Sequence, residues 1–227
     1  MKGFLSYGVT LARGKALAVI MLAATPAWAE EVTVLAFGDS LTQGYGLAEA
    51  DGFVPQLQGW LDDQGAEATL INGGVSGDTT AGGASRVEWS LTPEVDAMIV
   101  ALGGNDLLRG IDPAVSRENL DRILAAAEAR EVPVLLVGMD APGNYGAEYE
   151  AAFDGMYPEL AEEYGTLYFE SFFKGLGESD PAQARHSPWI RRAAVSSAPR
   201  GAWLLVNRDA APADAWSARL RRRFHAG

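Results

Sequence analysis

The chain has 227 residues, of which 48% are hydrophobic and 21% charged, and it carries a net charge of −12. That length suits one domain with a sizeable core, and the composition excludes an intrinsically disordered chain. The acidic balance argues against nucleic acid as a partner and against tight docking on anionic lipid, because both surfaces repel it.

The first segment has the layout of a secretory signal. Lys2, Arg13 and Lys15 give a positive start, residues 16–24 form an apolar run, and Ala27-Trp28-Ala29 supplies small residues before Glu30. An apolar run of nine residues is too short to cross about 30 Å of hydrocarbon as a helix. Residues 1–29 are therefore expected to be cleaved, leaving a periplasmic or secreted protein with no stable membrane insertion. The chain has no cysteine, and a core of this size does not need disulfides even in an oxidising compartment.

Five short apolar runs follow, at residues 32–37, 68–71, 97–102, 132–139 and 166–170. Runs of this kind suit strands buried on both faces, as in a parallel sheet. Between them, Phe53, Leu57, Trp60 and Leu61 share one helical face. Asp112-Pro113 opens a helix with a cap and a first-turn proline, and its buried stripe is expected to be Val115, Leu120, Ile123, Leu124 and Ala127. Tyr149, Phe153, Met156, Leu160 and Tyr164 mark a further helix, expected to be interrupted near Pro158. The alternation predicts a three-layer α/β/α sandwich with a parallel five-stranded sheet and right-handed connections. A functional site in such a sheet lies where strands end and helices begin.

Three strand ends carry unusual residues. The first strand runs into Gly38-Asp39-Ser40-Leu41, where a serine at a strand-to-helix turn has its hydroxyl lifted to the rim of the sheet beside helix-start amides. Taken alone, Asp and Ser before a helix read first as a cap. The second strand ends in Asn72-Gly73-Gly74-Val75-Ser76-Gly77-Asp78-Thr79, where glycine lets backbone amides approach a ligand, although such loops are usually simple turns. The third ends in Gly103-Gly104-Asn105-Asp106, where an asparagine amide could face a developing negative oxygen or merely complete a turn. Their order gives them weight. Three consecutive strands would bring Ser40, Gly77 and Asn105 to one edge, a nucleophile with donors for an oxyanion, as acyl transfer requires.

In order and spacing these blocks resemble the first three blocks of the SGNH (GDSL) hydrolase family. The likeness is greatest to its periplasmic thioesterase, lysophospholipase and arylesterase group. Residues 102–110, 141–146 and Tyr157-Pro158-Glu159-Leu160 share it, so that it covers about residues 31–181. The resemblance implies a flavodoxin-like sandwich with Ser40 as nucleophile. It also implies an oxyanion hole made of the N–H of Ser40, the N–H of Gly77 and the side chain of Asn105.

The family's fourth block, an Asp-x-x-His beyond the proline matching Pro181, is missing. Arg185-His186-Ser187-Pro188-Trp189 stands nearby, with no aspartate three residues before either histidine. Aligning Asn207-Arg208-Asp209 with residues that follow the block puts Ala202 and Leu205 in the places of acid and base. The composition also changes here: residues 185–227 hold half of the chain's 18 basic residues, all arginine, but only two of its 30 acidic ones, Asp209 and Asp214. Three readings compete: a tail out of frame, a family member that has lost activity but kept an acyl-binding pocket, or His186 acting as base from a rearranged loop. His225, near the end, is expected to be solvated. The arginines at 219–223 invite a nucleic-acid or lipid-surface reading but suit a solvated helix end, Trp216, Leu220 and Phe224 read as a packing stripe, and Arg109 reads as a surface ion pair ahead of a substrate contact.

The chain is thus expected to have a hydrolase domain at residues 30–184 and an atypical tail at 185–227. It would cleave carboxylic esters or thioesters of small acyl or aryl substrates, as a monomer and without metal or organic cofactor. The alternative is an impaired family member acting as an acyl-binding module.

Overall fold

The computed structural model describes residues 31–174. Within them five strands, β1 (Val32–Gly38), β2 (Ala68–Gly74), β3 (Ala97–Ala101), β4 (Val134–Val137) and β5 (Leu167–Phe169), form one sheet in the order β2-β1-β3-β4-β5. Every neighbouring pair is parallel. The central strands are the most apolar for a physical reason: β3 is buried along its whole length, and β1 from Val34 onward, so both faces need cover. β2, at an edge, is largely half-exposed.

Six helices connect the strands: α1 (Ser40–Gln43), α2 (Phe53–Asp63), α3 (Thr80–Ser90), α4 (Gly104–Leu108), α5 (Pro113–Glu128) and α6 (Ala147–Tyr164). α3, α5 and α6 pack side by side, whereas α1 and α2 lie against β2. The chain moves outward from β1 to β2 and then back across β1 to β3. Right-handed crossovers in opposite directions put the two helix groups on opposite faces, which makes three layers. The reversal also puts the topological switch point, where sheets of this kind form a crevice, at the carboxyl ends of β1 and β3.

One helix goes unannounced in the sequence, and two local expectations need correction. α3 is a helix that the apolar pattern does not announce, because Gly82 and Gly83 occupy its first turn. Thr79 caps it, accepting the Gly82 N–H at 3.3 Å. Gly83 is there for close packing: a Cβ at that position would stand 2.4 Å from Leu102 Cδ1. In α5, Val115 is 47% exposed, and the stripe instead runs through buried Ser116 and Asn119 to Leu120, Ile123, Leu124 and Ala127. Finally, α6 runs unbroken through Pro158. An interior proline costs about 3 kcal/mol, and the flanking burial offsets it. Phe153, Met156, Tyr157 and Leu160 are all buried, and the Tyr157 hydroxyl donates to the Leu102 carbonyl at 3.0 Å.

Candidate active site

Ser40 is the first residue of α1, directly beyond β1, and is half-buried. Asp39 is the N-cap, and its Oδ1 accepts the Leu41 N–H at 2.9 Å. The helix is a single turn, closed by Gly44 in the left-handed conformation, whose N–H donates to the Ser40 carbonyl. A short helix at a strand end holds the serine in place while leaving its side chain at the rim. The cap expected from the Gly-Asp-Ser tripeptide is therefore present, and it belongs to Asp39.

Asn105 lies in the first turn of α4, at the end of β3, and is half-buried. Its Nδ2 donates to Asp39 Oδ2 at 3.1 Å. The switch-point crevice thus has Ser40 on one lip and Asn105 on the other, joined through one carboxylate. Asp39 is 1% exposed. Burial pushes its carboxyl above the usual 3.8; the hydrogen bonds from Leu41 and Asn105 oppose that shift, and Asp78 and Asp106 add to it.

Gly77 sits in the loop after β2 with φ of +82°, a left-handed conformation that favours glycine. Arg109 donates from Nη2 to the Gly77 carbonyl at 2.9 Å. Arg109 was expected in a surface ion pair; it is bound to backbone instead, tying the β2 loop to the end of α4. The same loop is tied to β1 by Arg86. That guanidinium pairs with Asp78 (Nε to Oδ2, 2.6 Å), donates to the Gly38 carbonyl at 2.9 Å, and lies 3.8 Å from the centroid of the Phe37 ring. The Gly38 carbonyl also accepts the Val75 N–H at 3.0 Å.

Asp106 makes the third tie. It is fully buried, and accepts the Thr80 N–H at 2.9 Å, the Thr80 hydroxyl at 2.6 Å and the Ser116 hydroxyl at 3.0 Å. Asn119 extends the cluster by donating to Thr80 Oγ1 at 3.3 Å. The polar stripe on α5 is thereby explained: Ser116 and Asn119 face a buried carboxylate, not an apolar layer.

The three strand tips named by the sequence are therefore stitched together by Asp39, Arg86, Arg109 and Asp106. Sequence reasoning missed these four links. Asp39 and Asp106 were visible beside Ser40 and Asn105, but nothing local indicates a partner 66 or 26 residues away. No group of three or more His, Cys, Asp or Glu side chains among the described residues is arranged to hold a metal ion. His186, the whole of residues 185–227 and the segment 1–29 expected to be a cleaved signal lie outside the described residues.

Known ester hydrolases resemble this chain in sequence and in fold. The esterase TesA of Pseudomonas aeruginosa is 40% identical over 146 residues, covering 64% of this chain and 73% of its own. The thioesterase 1/protease 1/lysophospholipase L1 of Escherichia coli K12 is 34% identical over 143 residues, covering 63% of this chain and 67% of its own. Among solved structures, AlinE4, a SGNH-hydrolase family esterase, superimposes with a TM-score of 0.65 at 35% identity, covering 88% of this chain and 95% of its own. The model of the GDSL-like lipase/acylhydrolase family matches residues 36–195, more than half of the sequence, and the chain belongs to that family.

Proposed function

We propose that this chain cleaves carboxylic esters or thioesters by acyl transfer to Ser40. Its family is one of acylhydrolases, and the named relatives are ester hydrolases. The Ser40 hydroxyl attacks the acyl carbon and gives up its proton to a base. The negative oxygen that develops is held by the N–H of Ser40, the N–H of Gly77 and the Asn105 carboxamide. Collapse expels the alcohol or thiol, which takes up a proton, and water then releases the acid from the acyl-enzyme. Residues 31–174 supply nucleophile and donors; the base belongs to residues beyond them, where His186 is the candidate.

One observation carries this reading. The Asn105 carboxamide is anchored, at 3.1 Å, to the residue that immediately precedes Ser40. A fluorophosphonate, which reacts with an activated serine, tests it. Labelling should map to Ser40 and vanish in Ser40→Ala. Labelling absent from the native chain, with acyl ligands still bound, would show a binding module. His186→Ala should lower turnover to the roughly 10³–10⁴-fold over water that an oxyanion site and binding alone provide; unchanged turnover would remove His186 as base.

We also propose export. The positive start, apolar run and Ala27-Trp28-Ala29 support it, and none of the helices among the described residues is long and apolar enough to cross a membrane. Amino-terminal sequencing of the mature protein should begin at Glu30.

A further inference from the structure

Two hydrogen bonds converge on Asp39 from opposite lips of the crevice. Oδ1 caps the helix that Ser40 opens, and Oδ2 receives Nδ2 of Asn105. An ionised carboxylate accepts hydrogen bonds and donates none. A carboxamide, in contrast, is nearly symmetric in shape, and a half-turn exchanges its oxygen and nitrogen. Beside a carboxylate only one of these orientations is attractive, the one with nitrogen inward. One hydrogen of that nitrogen is then held by Asp39, and the second stays available to the crevice. In the reversed orientation the amide oxygen would confront both the carboxylate and any developing oxyanion.

We propose that Asp39 is a positioning residue for acyl transfer, fixing the Asn105 carboxamide with its nitrogen toward the oxyanion and tying that donor to the helix start that carries Ser40. This rests on the roles given above to Ser40 and Asn105.

The chemistry of the position supports it. Capping does not require a charge, since asparagine caps a helix about as well as aspartate. An asparagine would also escape the burial that raises the Asp39 pKa, a shift to which Asp78 and Asp106 contribute. What an asparagine could not do is refuse to donate, and so dictate which way the Asn105 amide faces. The charge is explained by the residue across the crevice, not by the cap.

Asp39→Asn keeps the cap and removes the dictation. Its fluorophosphonate labelling rate should fall by about tenfold to a hundredfold, less than the roughly 10²–10³-fold cost of deleting a whole oxyanion donor. Its urea midpoint at neutral pH should stay level or rise. In an Asn105→Ala background the same change should slow labelling by no more than about twofold, because the group through which Asp39 acts is gone. The ¹⁵N–¹H signals of the Asn105 carboxamide should lose hydrogen-exchange protection in the single variant. Labelling of Asp39→Asn at the native rate, or equal slowing in both backgrounds, would overturn the proposal. If the native chain shows no Ser40 labelling, the hydrolase reading fails by itself. The Asn105 signals then still decide whether Asp39 holds the amide, and unchanged signals would refute it.

Discussion

The two loops that flank Ser40 are held by different means. At the end of β3, Asp106 is fully buried and takes three hydrogen bonds from Thr80 and Ser116, so the turn carrying Asn105 is fastened from beneath by the core. At the end of β2, Arg86 and Asp78 give the loop a buried tie of its own, but the Gly77 carbonyl itself is held by Arg109, an exposed side chain. A buried network of this kind is expensive to break, because each orphaned group has lost water as well as its partner. An exposed latch costs the fold little when cut, but it still sets the geometry of the loop. Cutting the Asp106 network should therefore cost chiefly stability, and cutting the Arg109 latch chiefly rate.

The largest effect is expected on the buried side. Asp106→Ala leaves the Thr80 N–H and two hydroxyls without their acceptor, and should cost about 3 kcal/mol or more of folding free energy. Urea unfolding measures it, and a loss under about 1 kcal/mol would show that the network is dispensable. On the exposed side, Arg109→Met should change stability by no more than about 0.5 kcal/mol, as for surface substitutions generally. It should lower kcat for an aryl ester by about tenfold through misplacement of the donor proposed at Gly77. Equal losses in stability and rate would erase the contrast between the loops.

The smallest effect is a pH dependence at Asp39, which sits between the two. Its pKa is raised on folding, so its favourable contribution is complete below the usual 3.8 and is lost as pH rises through the folded value. The stability of Asp39→Asn relative to the native chain should therefore improve across that window, ending level or higher at neutral pH. Urea midpoints over a pH series read this directly, and a variant that loses ground as pH rises would reverse the sign.

How far the sequence showed this architecture follows from what kind of force shapes each part. β1 and β3 are central strands buried on both faces, so their apolar runs mark them plainly, and the tripeptide and glycine-rich ends that follow point to the crevice. The β2 edge extends three residues past its apolar run, through Asn72-Gly73-Gly74, because backbone pairing with Ala36, Phe37 and Gly38 carries it onward. α3 was hidden by Gly82 and Gly83, whose value lies in close packing and not in helix propensity. The stripe on α5 was misplaced at Val115 because an apolar pattern cannot see a polar core, and Ser116 and Asn119 belong to one. The site shows the same division. Ser40, Gly77 and Asn105 stand at strand ends, which local signals reveal. Asp39, Arg86, Arg109 and Asp106 act through partners far along the chain, and only the folded topology brings those together.

The account depends on three donors converging on a single acyl oxygen while the nucleophile meets the acyl carbon, and the structure of the phosphonylated protein measures that convergence directly. The account predicts phosphorus bonded to Ser40 Oγ, with one phosphonyl oxygen about 3 Å from the backbone nitrogens of Ser40 and Gly77 and from Asn105 Nδ2. A phosphonyl oxygen turned to solvent, with Asn105 or Gly77 pointing elsewhere, would contradict it.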